Sequence, residues 1–230
     1  MNELISFTQI STYVECPYKY YLAYVLNEKP LYKETYELGK AIHNIIKTYY
    51  EIMPSSMTPK EVRMFITVSA KKNGLDLEKN ISLLENFARF EEQRITWNIN
   101  PKPIAVEKEF VKKPFHGIVD ALFIDKNGDK IVVDWKTSLK REYDNWEMYR
   151  LQGNIYMYIT DSKKVIFYGL RRGDTIEFTY DEKYLLNMLD SFKKSIERKF
   201  FERKRGEHCL TCEYNLLCKT YEYGFEVFDL

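Results

Sequence analysis

The stretch IVVDWKTS, residues 131–138, decides the fold. Its Ile and Val residues predict a buried β-strand, because β-branched side chains favour strands and a short apolar run is typical of a covered one. The strand ends in Asp134 and Lys136, which share one face because side chains alternate along a strand. Taken alone, this pattern is more typical of an ion pair on a solvated sheet face. If the strand is buried, however, neither charge is tolerated without a partner, and the pair indicates a site.

A second acidic residue precedes this strand. Asp120 lies in GIVDAL, which also reads as a strand, and Lys126-Asn127-Gly128 follows it. A two-residue Asn-Gly turn would pair Ala121 with Asp134 and send Asp120 to the opposite face. A three-residue loop with its glycine in the left-handed conformation would pair Asp120 with Asp134. We predict the second register, because it gathers three scattered charges into one site.

Such a site has the chemistry of a metal centre. Two carboxylates ~4 Å apart repel by ~4 kcal/mol at an effective dielectric constant near 20. Lys136 alone cannot offset that repulsion, whereas a divalent cation can, and oxygen ligands suit Mg²⁺ or Mn²⁺. A metal beside a lysine suits phosphodiester hydrolysis, in which the lysine orients water or stabilises developing charge. Glu107, in AVEKEF, offers a further carboxylate, although an exposed strand glutamate is an equally good interpretation.

The elements around these strands alternate between helix and sheet. The pattern predicts two short helices broken at Cys16-Pro17, a helix over 36–51, a helical section over 53–100, three strands within 103–137, a helix over 145–160, two strands near 164–170 and 175–180, and a long helix over 183–205. This order predicts a mixed α/β fold whose central sheet is flanked by helices. We expect a single domain over 1–230, with a helical insertion at 53–100, a core at 101–180 and a C-terminal region at 181–230.

Composition excludes several classes of protein. The chain has 230 residues, 45% hydrophobic and 30% charged, with a net charge of +1 from 35 basic and 34 acidic residues. Any basic surface must therefore be local, such as the lysines and arginines between 193 and 205. The N-terminus does not resemble a signal peptide, and no apolar run approaches the ~20 residues of a membrane span. We therefore expect an intracellular protein with no membrane partner.

The four cysteines form a pattern of their own. Cys209, Cys212 and Cys218 have the spacing C-x₂-C-x₅-C, and Cys16 lies near the start of the chain. Together they can complete a Cys₄ metal shell, and the spacing leaves both zinc and an iron–sulfur cluster open. Disulfides require an oxidising compartment, and three free thiols in so short a segment are not typical.

The motif pair GIVDAL and VVDWKT resembles that of the PD-(D/E)XK nuclease superfamily, in its RecB-like branch. That branch also carries a glycine-to-histidine motif and a QxxxY motif, present here as GKAIH (39–43) and QGNIY (152–156). The resemblance implies a mixed central sheet of the PD-(D/E)XK type and Mg²⁺ or Mn²⁺. The residue roles that it implies are metal ligation by His43, Asp120, Asp134 and the Trp135 carbonyl, catalysis by Lys136 with Asp120 and Asp134, and nucleic-acid contact by Gln152 and Tyr156.

A second resemblance covers nearly the whole chain. CPYKYY near the N-terminus and the C-terminal cysteines resemble the iron–sulfur RecB-like nucleases, which include the CRISPR-associated adaptation exonuclease family and AddB-type nuclease domains. It implies a structural [4Fe–4S] cluster on Cys16, Cys209, Cys212 and Cys218. It also implies a DNA nuclease acting preferentially on single-stranded ends, 5′ to 3′, in CRISPR adaptation together with adaptation or recombination proteins.

Other functions remain open. The same chemistry serves a phage or mobile-element nuclease that processes DNA ends. A DNA-binding protein with an idle metal site is disfavoured, because His43, Asp120, Asp134 and Lys136 are all present. A zinc-stapled interaction module would be colourless and would not cleave DNA.

Overall fold

The structure is a computed structural model that describes residues 4–30, 37–52, 58–140 and 142–222. The chain divides into two compact units. The first, Met1–Leu4 with Tyr36–Leu185, is called the sheet unit, and the second, Ile5–Thr35 with Leu186–Leu230, is called the cysteine unit. The single-domain organisation expected from the sequence stays a prediction.

The described helices follow the predicted order. They are α1 (Phe7–Glu15), α2 (Pro17–Tyr20), α3 (Glu37–Ile52), α4 (Pro59–Lys72), α5 (Leu77–Thr96), α6 (Tyr143–Thr160), α7 (Glu182–Glu197) and α8 (Asn215–Glu222). Side chains cap three of the helix starts: Ser6 and Thr58 form capping boxes with Gln9 at α1 and Glu61 at α4, and Asp76 accepts from the first turn of α5. The predicted start of the helical section, residues 53–57, lies outside the described residues. None of the described helices is both long and apolar enough to span a membrane.

The sheet unit is built on a five-stranded mixed sheet, as predicted. Its strands are β1 (Ala105–Lys112), β2 (Phe115–Ile124), β3 (Lys130–Lys136), β4 (Lys164–Gly169) and β5 (Asp174–Thr179), and they lie side by side in chain order. Only β3 and β4 are parallel among these pairs. A parallel connection needs a crossover, and α6 provides it.

The predicted register of β2 and β3 is confirmed. Ala121 pairs with Val133, so the next position places Asp120 opposite Asp134. The connection is a three-residue loop in which Gly128 has a φ of 86°. Glycine adopts this left-handed conformation without the steric cost that other residues incur.

Helices cover both faces of the sheet. On one face, apolar side chains of α3, α4 and α5 form a core with alternate residues of the central strands, including Val133 and Trp135. On the other face, α6 approaches closely at Gly153, where an added Cβ would lie 2.6 Å from Val165 Cγ1. This approach requires glycine.

A polar cluster lies inside the core between α3 and α5. Glu91 forms an ion pair with Arg94, with both guanidinium-to-carboxylate bonds between 2.7 and 2.8 Å. The Tyr49 and Tyr50 hydroxyls donate to the same carboxylate. These bonds tie α3, the helix that carries His43, to α5.

The cysteine unit contains the predicted helix break at Cys16-Pro17, which is confirmed. Pro17 is the first residue of α2, where its missing N–H leaves no bond unmade. The helical path continues as a π-helical turn over Tyr21–Val25, and a 3₁₀ turn over Glu207–Leu210 carries Cys209.

The prediction that a single helix runs from 183 to 205 is wrong. Helix α7 ends at Glu197, where Lys199 has a left-handed φ of 53° and the Phe200 N–H bonds to the Ser195 carbonyl at 3.1 Å. Like charges one turn apart, as at Lys194 and Arg198, destabilise a helix. The basic segment beyond the break is irregular.

Candidate active site

Three strands place three carboxylates in a row. Val106 pairs with Ala121 across β1 and β2, so Glu107 lies opposite Asp120. Asp120 in turn lies opposite Asp134. The three acids therefore occupy matching positions on one face of neighbouring strands.

His43 of α3 reaches this row. Its Nδ1 atom lies 3.0 Å from Glu107 Oε1 and 3.6 Å from Asp120 Oδ1, while its Nε2 atom lies 2.9 Å from the Trp135 carbonyl oxygen. One ligand atom each from His43, Glu107 and Asp120 falls within a mutual 4.8 Å. This group can hold a metal ion.

Trp135 links the site to the core. Its backbone N–H donates to Asp120 Oδ2 at 2.9 Å, and its carbonyl meets His43. Its indole is 1% exposed and stacks on Tyr50 at 5.8 Å between ring centroids. The position of the backbone at the site is therefore set by packing on the opposite face of the sheet.

Lys136 lies beside the second aspartate. Its Nζ atom is 2.8 Å from Asp134 Oδ1 and 5.5 Å from the centroid of the Phe167 ring. That oxygen is buried and has no hydrogen bond of good geometry among the described residues, so the ammonium is its electrostatic partner. Asp134 itself is only 2% exposed.

Gln152 and Tyr156 lie one turn apart on α6, behind the aspartates. The Gln152 amide donates to Asp134 Oδ2 at 3.4 Å and to the Tyr156 hydroxyl at 2.9 Å. Both side chains are buried, at 7% and 8% exposure. The structure therefore brings them to Asp134, and their contact with nucleic acid stays a prediction.

Burial and close charges shift the pKa values of the site. Burial opposes protonation of His43, but its bond to Glu107 and the charges of Asp120 and Asp134 outweigh this and raise its pKa to about 9. Burial, reinforced by the charge of Asp134, raises the pKa of Asp120 to about 8. Burial would lower the pKa of Lys136, yet the charges of Asp134 and Asp120 raise it. The lysine is therefore a cation at neutral pH.

Glu107 is the residue whose role the sequence left open. Its backbone has a φ of 43°, which is rare for a non-glycine residue in a strand and costs of order 1–3 kcal/mol. Such strain persists only where surrounding contacts maintain it, and here the carboxylate contacts His43. The hairpin register, once known, would have identified this residue as the third acid of the row.

Comparison with known proteins agrees with this geometry. A family model described as the PD-(D/E)XK nuclease superfamily matches residues 4–219. The chain belongs to the PD-(D/E)XK nuclease superfamily. Members of this superfamily are generally metal-dependent nucleases that use Mg²⁺ or Mn²⁺, and DNA is their substrate. The superfamily resemblance read from the sequence is thus confirmed, and the RecB-like iron–sulfur branch stays a prediction.

Two further comparisons add little to the PD-(D/E)XK assignment. A search of curated proteins found no match. A solved structure described as the crystal structure of SSO0001 is 13% identical, covering 81% of this chain and 98% of that chain, with a TM-score of 0.37. A similarity this low carries no inference about the PD-(D/E)XK protein.

The cysteines of this PD-(D/E)XK protein meet at a second candidate site, within the cysteine unit. Cys16, Cys209, Cys212 and Cys218 are free thiols, all half-buried, and line one cavity of about 210 Å³. Basic side chains also line it: Lys19, Arg203, Lys204, Arg205 and Lys219. Burial raises the pKa of Cys212, although a backbone hydrogen bond from Tyr214 opposes the shift. The lining therefore combines four thiols with positively charged side chains.

Proposed function

We propose that this protein is a metal-dependent DNA nuclease that acts preferentially as an exonuclease on single-stranded ends, 5′ to 3′, and carries a structural [4Fe–4S] cluster. The observation that carries the nuclease assignment is the row of Glu107, Asp120 and Asp134, with His43 at one end and Lys136 at the other. Superfamily membership supports the hydrolysis of phosphodiester bonds.

The donor set fits a divalent cation. The imidazole of His43 and the carboxylates of Glu107 and Asp120 provide one nitrogen and several oxygens, which suits Mn²⁺ and Mg²⁺. We assign Asp134 and the Trp135 carbonyl to the same centre by resemblance, and we add Glu107 on its geometry. When bound, the ion would polarise the scissile phosphate and lower the pKa of a water molecule.

Lys136 acts as a cation in this proposal. Burial would lower its pKa, but the charges of Asp134 and Asp120 raise it, which favours the protonated form over a general base. Held by Asp134 at 2.8 Å, the ammonium stabilises the charge that develops on the phosphate and orients the attacking water. Gln152 holds the other oxygen of Asp134, and we propose that this glutamine and Tyr156 also contact the DNA near the cut.

The four half-buried cysteines line one cavity of about 210 Å³ in the cysteine unit. Four thiolates suit zinc and an iron–sulfur cluster alike. The resemblance to the iron–sulfur RecB-like nucleases supports the cluster. We therefore propose that Cys16, Cys209, Cys212 and Cys218 hold a [4Fe–4S] cluster that staples distant parts of the chain.

The biological setting rests on resemblance alone. We propose a role in CRISPR adaptation inside the cell, with adaptation or recombination proteins as partners. Processing of DNA ends in phage or mobile-element recombination is the second candidate, since the same site chemistry serves both. The complete set of site residues argues against a protein that only binds DNA.

Degradation of single-stranded DNA tests the proposal. Oligonucleotides labelled at the 5′ or the 3′ end are incubated with the protein and Mn²⁺, and a 5′ to 3′ exonuclease releases short labelled products at once only from the 5′-labelled strand. Lys136→Ala should lower the rate by about 10²–10³-fold at an unchanged melting temperature. Lys126→Ala, an exposed lysine in the β2–β3 loop, is the matched control. Equal rates for Lys136→Ala and wild type would refute the site.

A further inference from the structure

The turn between β4 and β5 lies beside the catalytic lysine. Because β3 and β4 are parallel, their C-terminal ends meet at the same edge of the sheet, where Lys136 pairs with Gly169. Beyond that pair, the Arg171 N–H bonds to the Thr137 carbonyl at 3.0 Å. Arg171 therefore lies one strand over from the residue that follows Lys136, which is a separation of about 5 Å between backbones.

This turn is held in a defined conformation. Gly173 has a φ of 68°, and its N–H bonds to the Gly169 carbonyl at 2.7 Å. The buried amide of Asn86 on α5 donates to the Leu170 carbonyl at 2.8 Å. Because this turn is tied to both the sheet and α5, its backbone needs little further ordering when a ligand binds.

The turn carries two arginines that none of the described residues pairs. Arg171 and Arg172 are exposed, and neither guanidinium has an ion pair or hydrogen bond in the part of the chain that the structure describes. Arg89 of α5 reaches the same turn, since an added Cβ on Gly173 would lie 3.3 Å from its Nη1 atom. This local concentration stands out because the net charge of the chain is only +1.

The two arginines can bind phosphates that Lys136 does not reach. Lys136 is held by Asp134 at 2.8 Å, so its charge is not available to the phosphates on either side of the scissile phosphate. Guanidinium groups bind phosphate oxygens in a bidentate manner and remain charged at all relevant pH values. We propose that Arg171 and Arg172 form a subsite for the phosphates of single-stranded DNA that flank the scissile phosphate, an inference that rests on the proposed nuclease function.

Salt dependence of binding provides the test. Affinity for a fluorescent single-stranded oligonucleotide is measured by anisotropy in EDTA, which prevents cleavage, over a series of KCl concentrations. Loss of two phosphate contacts in Arg171→Ala/Arg172→Ala should flatten the slope of log K against log[salt] by about 1.4, since each contact on a single strand contributes about 0.7. The KM for Mn²⁺-dependent cleavage should rise about tenfold or more while kcat stays within about twofold, because the contacts bind the substrate before and during reaction alike.

Two variants serve as controls. Lys71→Ala/Lys72→Ala removes the same charge from an exposed position at the end of α4 in the same unit, and it should keep the wild-type slope. Arg171→Lys/Arg172→Lys keeps the charge and should restore most of the slope. Melting temperatures of all variants verify folding.

The outcomes separate this inference from the proposed function. If the wild type cleaves DNA and the arginine-to-alanine variant keeps its slope and KM, the subsite is refuted and the nuclease assignment stands. If the wild type binds without cleaving and the slope still flattens, the subsite stands and the nuclease assignment falls. If the wild type neither binds nor cleaves single-stranded DNA, both are refuted.

Discussion

His43 joins α3 to β3 through a 2.9 Å contact between its Nε2 atom and the carbonyl oxygen of Trp135. Its other ring nitrogen contacts Glu107 at 3.0 Å. A histidine ring with a hydrogen-bond acceptor at each nitrogen is stabilised as the imidazolium. Its positive charge balances the neighbouring carboxylates when no metal ion is bound. The raised pKa values of His43 and Asp120 agree with this, because both groups bind protons more tightly than usual beside the other charges of the site.

Metal binding should therefore release protons. The pKa values of His43, about 9, and Asp120, about 8, both lie above 7, so this interacting pair retains protons at pH 7 without metal. Ligands bind metal in their deprotonated forms. Mn²⁺ affinity should rise between pH 7 and pH 9, by up to about tenfold per pH unit for each proton displaced. Calorimetric titration in buffers of different ionisation enthalpy measures the released protons, and a binding heat that is independent of the buffer contradicts the prediction.

Glu107 should be required for metal binding. Glu107→Gln keeps the size of the side chain and removes its charge, so Mn²⁺ affinity should fall by about 10–100-fold. The pKa of His43 should also fall, because its bond to Glu107 helps to raise it. Glu109→Gln is the matched control, because Glu109 lies two residues along the same strand and contacts His116 instead. Equal Mn²⁺ affinity for the two variants would show that Glu107 is not a ligand.

Part of the site geometry could be predicted from the sequence, and part of it could not. The register that joins Asp120 to Asp134 was predictable, because Gly128 and the alternating pattern are local signals. The left-handed φ of Glu107 and the contact of His43 with the Trp135 carbonyl were not, because each depends on elements far apart in the chain. The end of α7 was missed because the periodic pattern continues past Glu197. Besides the like charges at its end, contacts from a distant part of the chain hold the segment beyond it: the Tyr13 hydroxyl donates to the Phe200 carbonyl, and Tyr21 stacks on Phe201.

Replacement of any of the four cysteines should remove the proposed cluster. Anaerobically purified wild-type protein should be brown and contain iron, and Cys212→Ala should lack both the visible absorbance and the iron. Its free energy of unfolding should fall by about 2–5 kcal/mol, as for the loss of a long-range cross-link. Thr211→Ala, at an exposed neighbouring position, should behave as wild type. Stoichiometric zinc in the wild type would refute the cluster and leave the nuclease site untouched.

Glu91 should contribute more to stability than any surface acid. It is 4% exposed and pairs with Arg94, which is 7% exposed, so Glu91→Gln leaves a buried guanidinium without its counter-charge. The free energy of unfolding should fall by about 3–5 kcal/mol. Glu92→Gln is the control: it breaks an exposed pair with Arg63, which is worth about 0–1 kcal/mol. Urea unfolding measures both variants. Equal unfolding midpoints for the two variants would mean that the buried pair does not stabilise the packing of α3 against α5. The position of His43 would then depend on the apolar packing of α3 alone.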